Sequence, residues 1–163
     1  MSKKTPTVDE EINHWQRWFA IECNNRAWDL ASKERRTPKE NLEMVHAAYA
    51  AAFHWSKIGQ PINDARADVT LAHILSLAGQ APQAMWYAQR SLVFFKENPG
   101  EVWDMAFAHA EMAFAAAVLG DARLHAEHYE AAFEIGETIA DDGDRLAFDE
   151  VFAKIPSPRL KSA

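Results

Sequence analysis

Cysteine is nearly absent from this chain: Cys23 stands alone, so no internal disulfide can form. Within a helical pattern that cysteine reads as a small core residue rather than a reactive thiol. Basic residues are also scarce, with 17 Lys and Arg against 24 Asp and Glu, a formal charge of -7 and a pI near 5.5. Nucleic acids and anionic lipids are bound through a basic footprint that displaces counterions, so neither nucleic acid nor a membrane surface is an expected partner. No unbroken apolar run approaches the ~20 residues that span a bilayer, the longest reaching from Met112 to Leu119. Lys3 and Lys4 run into Asp9, Glu10 and Glu11 with no apolar stretch between, which is not a signal peptide and points to the cytoplasm. A phosphate-cradling glycine loop, zinc-type Cys and His spacing and an H-E-x-x-H motif are all missing. The expectation is a protein with no catalytic residues, no metal and no cofactor.

What is present is helix-forming sequence. With 163 residues, 48% of them hydrophobic, the chain can build one core. A single helical domain is expected over residues 8–155, with a flexible tail at 1–7 and a second tail at 156–163. Six glycines and seven prolines punctuate segments rich in Ala, Leu, Met, Glu and Gln. The first helix is expected from Val8 to Ser32, burying Ile12, Trp15, Phe19 and Cys23, with Lys33, Arg35 and Arg36 as an electrostatic cap. Thr37, Pro38 and Glu40 spell a capping box with proline in the first turn, and this second helix stops at Gly59. A third follows Pro61 and ends at Gly79, a fourth starts near Pro82, a fifth runs from Glu101 to Leu119, and a sixth from Ala122 to about Ala140. A seventh is capped by Asp142 or Asp144 and buries Phe148, Val151, Phe152 and Ile155 before Pro156 and Pro158.

The punctuation repeats. Arg35-Arg36-Thr37-Pro38, Gly79-Gln80-Ala81-Pro82 and Gly120-Asp121-Ala122-Arg123 recur at spacings of 44 and 41 residues. Gly79 through Leu92, with Ala84, Ala88 and Ser91 where helices would cross, resembles the turn and second helix of a tetratricopeptide repeat. Leu71 and Ala72 fall where that family carries a Leu-Gly pair, and Gly120, Tyr129 and Ala132 fit the same frame. The resemblance covers roughly residues 8–140. It implies an all-α fold of three antiparallel helix pairs stacked as a right-handed superhelix, with the seventh helix as C-terminal cap. It further implies a non-catalytic protein- or peptide-binding module whose concave face is lined by Trp18, Glu22, Asn25, Asp29, Arg66, His73, Phe107 and Phe114. On helix one, Glu22, Asn25 and Asp29 follow i, i+3, i+7 and continue Trp18. The negative charge favours a basic partner. In the competing reading, Glu22 pairs with Arg66 and Asp29 with His73 as an internal network.

Other constellations carry less. Glu11 with His14 and Glu43 with His46 repeat the Glu-x-x-His pattern of di-iron bundles, but across a hairpin turning near Arg36 the two histidines stand roughly 18 Å apart. His125 and His128 share a helix face, and two ligands do not make a metal site; one packed and one solvated histidine is expected. Ser76, His73 and Asp29 make a triad only on paper, because a mid-helix serine lacks the free backbone donors of an oxyanion hole. The main alternative function is a small helical metal-dependent enzyme or hydrolase centred on His54, His73 and His109. The other is a structural homo-oligomer, a homodimer being the simplest, that buries exposed tryptophans against its own copy.

Overall fold

The computed structural model describes residues 7–158, and every regular element among them is a helix: α1 (Val8–Ser32), α2 (Pro38–Ile58), α3 (Pro61–Leu77), α4 (Ala81–Glu97), α5 (Val102–Leu119), α6 (Ala122–Gly136) and α7 (Asp142–Phe152). Local chemistry sets the ends. Thr7 caps α1 and Thr37 caps α2, each accepting from the amide three residues on while Glu10 or Glu40 accepts from the capping residue's own amide. Arg36 Nη1 donates to the carbonyls of Leu30, Ala31 and Lys33 at 3.3, 3.1 and 3.0 Å, which satisfies orphan acceptors at the end of α1. Gly59 and Gly120 close α2 and α5 at φ 70° and 86°, a left-handed turn that a side chain would strain.

Two ends differ from expectation. Helix α6 stops at Gly136 rather than near Ala140, because the chain turns there and returns Ile139 to the core. The cap of α7 is Asp141, not Asp142 or Asp144; its carboxylate accepts from the amides of Gly143 and Asp144 at 2.9 Å each. Thr7, placed in the expected tail, belongs to α1 as its cap; of the second expected tail, Pro156 and Ser157 hydrogen-bond His125 and Tyr129, and residues 1–6 and 159–163 lie outside the described residues.

The chain divides into two compact units, one reaching to Ala67 and the other starting at Asp68, within α3. In the first, α1 and α2 are joined by Lys33–Glu40 at 2.6 Å, Arg26–Glu43 at 2.7 Å and Gln16–His54 at 2.6 Å, so residue numbers fall on α1 as they rise on α2. Their buried residues are mostly small: Ala20, Ala27, Leu30 and Ala31 on α1, and Met44, Val45, Ala48 and Ala51 on α2. Small side chains let two helices approach closely and leave no room for large rings. Ile12, Trp15 and Phe19, expected on the buried face, therefore lie outside it, Trp15 and Phe19 being 53% and 42% exposed. Cys23 is half-buried, and burial pushes its thiol above the ordinary range.

In the second unit α5 packs against α4, α6 and α7. Ala106, Ala110, Ala113, Phe114, Ala132, Phe148 and Phe152 form its core together with Ile139 and Ile155. Leu71, Leu75, Ala84, Ala88, Leu92, Met112, Ala132 and Phe152 are buried as their spacing implies, and Tyr129 is half-buried. Although its longest unbroken apolar run is short, α5 as a whole is long and apolar enough to cross a membrane by length and composition. Just over half of it is buried in the core, and it carries two fully buried carboxylates, Asp104 and Glu111.

Candidate functional site

Of the eight residues expected to line a concave face, four share one exposed stripe in the first unit. Glu11, Trp15, Trp18, Glu22, Asn25 and Asp29 follow i, i+4, i+7, i+11, i+14, i+18 along α1, the period of a single helix face, and every one is exposed. The rings are organised among themselves. Trp15 and Trp18 meet edge to face at 6.0 Å, Trp18 and Phe19 at 5.0 Å, and Phe19 stacks on His54 of α2 at 5.3 Å. His54 is fixed in turn by Gln16 at 2.6 Å. An open pocket of about 520 Å³ bounded by Glu10, Glu11, His14 and Trp15 lies at one end of the stripe. Among the described residues, Glu11, Glu22 and Asp29 enter no ion pair, whereas neighbouring Arg26 is held by Glu43. Among the described residues no ion pair joins Glu22 to Arg66. Arg66 is half-buried near the end of this unit.

The remaining three expected contacts lie in the second unit and are core or near-core residues. His73 and Glu111 are both 0% exposed, with Nδ1 of the imidazole 3.0 and 3.2 Å from the two carboxylate oxygens. Phe114, also buried, sets its edge against the His73 ring at 5.4 Å. As the chain stands, neither His73 nor Phe114 can meet a partner laid on the surface. Phe107 is half-buried and packs edge to face on Phe148 at 5.3 Å. The signal for the His73–Glu111 pair was weak in sequence, since 38 residues separate its members and nothing in their spacing marks them as neighbours.

A second histidine pair joins α5 to α6. His109 and His128 place their Nδ1 atoms 2.9 Å apart, so one ring donates and the other accepts, and both cannot be protonated there. Burial, the nearby positive charge of Lys96 and the neighbouring ring bring His109 down to about 4 against the pull of Glu127; burial also lowers His128. His125 donates from Nε2 to the Pro156 carbonyl at 2.7 Å. Both His125 and His128 are buried, where one had been expected in solvent.

Catalytic alternatives find different partners for each histidine: His54 with Gln16, His73 with Glu111, His109 with His128. Ser76 is buried and its hydroxyl bonds to nothing among the described residues, so no hydrogen bond links it to His73. Among the described residues no three His, Cys, Asp or Glu side chains gather where they could hold a metal ion. No family profile, curated protein or solved structure matches the chain.

Proposed function

We propose that the chain is a non-catalytic, protein- or peptide-binding helical module of tetratricopeptide-like build, acting in the cytoplasm through the exposed stripe of α1. The observation that carries this reading is the stripe itself: half-exposed tryptophans in mutual contact, flanked by carboxylates that form no ion pair among the described residues. Large aromatics clustered on a surface are the side chains that dominate protein interfaces. The descending and ascending contacts between α1 and α2 support an antiparallel pair, and the glycine turns at Gly59, Gly79 and Gly120 support its repetition. Trp18, Glu22, Asn25 and Asp29 remain as contacts; His73 and Phe114 do not, and Phe107 serves the core.

A photo-crosslinking residue in place of Asn25, used in the native cell, captures the partner. Trp18→Ala, and Glu22→Ala with Asp29→Ala, weaken capture by about 1 kcal/mol or more per true contact while helicity is unchanged. Equal capture by all variants would place the functional surface elsewhere.

A further inference from the structure

We infer that the occupant of the α1 stripe is a basic amphipathic helix of another protein, an inference that rests on the stripe being a partner surface. Three features select it. First, every regular element among the described residues is a helix, so there is no sheet edge to which an extended segment could add backbone hydrogen bonds, and side-chain packing must provide the contact. Second, the stripe is long and unbroken: Glu11 and Asp29 are 18 residues apart on one continuous helix, about 27 Å at the α-helical rise. A partner helix of similar length covers it in one contact. Third, its chemistry is ordered, with the apolar pair Trp15 and Trp18 in the middle, Glu11 on one side and Glu22 and Asp29 on the other.

The complement is a helix with leucine-like residues at its centre and lysine or arginine toward both ends, the basic groups separated by roughly 16 Å or more to meet Glu11 and Glu22 together. A second copy of this chain does not fit. Two such stripes laid antiparallel with Trp15 of each on Trp18 of the other bring Glu11 of one onto Glu22 of the other at both ends of the contact, and like charges across an interface oppose association.

The test uses the full chain and two synthetic peptides of about 20 residues, identical in their leucine face, one with two lysines at each end and one with glutamates there. Calorimetry is expected to show the lysine peptide binding at least tenfold more tightly than the glutamate peptide, with affinity falling several-fold between low and high salt. Glu11→Gln, Glu22→Gln and Asp29→Asn together abolish that preference without loss of helicity, and Trp18→Ser weakens the lysine peptide. Equal binding of the two peptides, no binding of the lysine peptide, or a preference that survives the triple substitution overturns the inference. So does a dimer in sedimentation that Trp18→Ser dissociates. The two readings fail separately: a native partner crosslinked at Asn25 through a neutral or acidic segment keeps α1 as a partner surface and removes only the basic helix, whereas equal capture by the Trp18, Glu22 and Asp29 variants removes the surface itself.

Discussion

Glu111 receives the Nδ1 edge of His73 on both of its carboxylate oxygens, at 3.0 and 3.2 Å, with neither side chain reaching solvent. A carboxylate in an apolar core is tolerated only when its hydrogen bonds are made, and removing it leaves the partner polar group buried with nothing to meet. Glu111→Ala is expected to destabilise the fold by about 2–4 kcal/mol, measured by urea unfolding. Glu111→Gln, which keeps an acceptor for the imidazole, loses less. If both substitutions behave like surface changes, the pair is not a structural element.

Gly136 ends α6 directly beneath the Phe148 ring, where an added Cβ would fall 2.3 Å from Cε1. Phe148 is itself stacked on Phe152 at 5.2 Å and touches Phe107, so it cannot swing away cheaply. Gly136→Ala gains up to about 1 kcal/mol of helix propensity and loses about 1–3 kcal/mol to overpacking; net destabilisation is expected in thermal melts. Combining it with Phe148→Leu should be less harmful than the two effects added, because the smaller side chain vacates the space.

The paired imidazoles of His109 and His128 make stability depend on pH. Both are lowered in the folded state, His109 from 6.5 to about 4, so below 6.5 the unfolded chain binds more protons. Their contribution is present above pH 6.5 and is lost as pH falls toward 4. The loss is on the order of 1 kcal/mol, because the His109 ring keeps partial access to water. His109→Phe should flatten unfolding free energy across this window. An unchanged slope would remove the pair as its source.

At the start of α2, Thr37 and Glu40 cap reciprocally, and the carboxyl of Glu40 is held at about 2 by hydrogen bonds from Lys33 first and from Thr37. A depressed carboxyl stabilises the fold above its ordinary value of 4.5 and ceases to do so as pH falls toward 2. Thr37→Ala is expected to cost about 1 kcal/mol near neutral pH, with Thr37→Asp restoring most of it. A cost no larger than that of an exposed mid-helix alanine would mean the cap contributes nothing.

Helix boundaries were legible because they are written locally. Thr37 with Glu40, Pro38, Pro61, Gly59 and Gly120 each act within one turn of their own position, and the end of α6 escaped notice because Gly136 sits inside a run that otherwise reads as helix. Burial on α1 follows from helix spacing rather than from side-chain size. Size argues for putting Trp15 and Phe19 inside, yet the close approach of α1 and α2 admits only small side chains such as Ala20, Ala27 and Ala48. Pairs made across long sequence separations, such as His73 with Glu111 and His109 with His128, depend on which helices become neighbours, and no single-helix pattern records that. The polar row of Glu22, Asn25 and Asp29 was visible from period alone, while its extension through Trp15 to Glu11 required knowing that the tryptophan faces outward.

Helix α5 has another aspect as the chain is being made. Before α6 and α7 are made to cover it, this 18-residue segment is long and apolar enough to cross a membrane. Glu111 stands near its midpoint, where an acidic residue raises the free energy of insertion by about 2.5–3.5 kcal/mol, and Asp104 adds a smaller penalty nearer the end. The carboxylate that needs His73 to be tolerated in the finished core thus also biases the newborn segment against lodging in lipid, and so toward its helical partners.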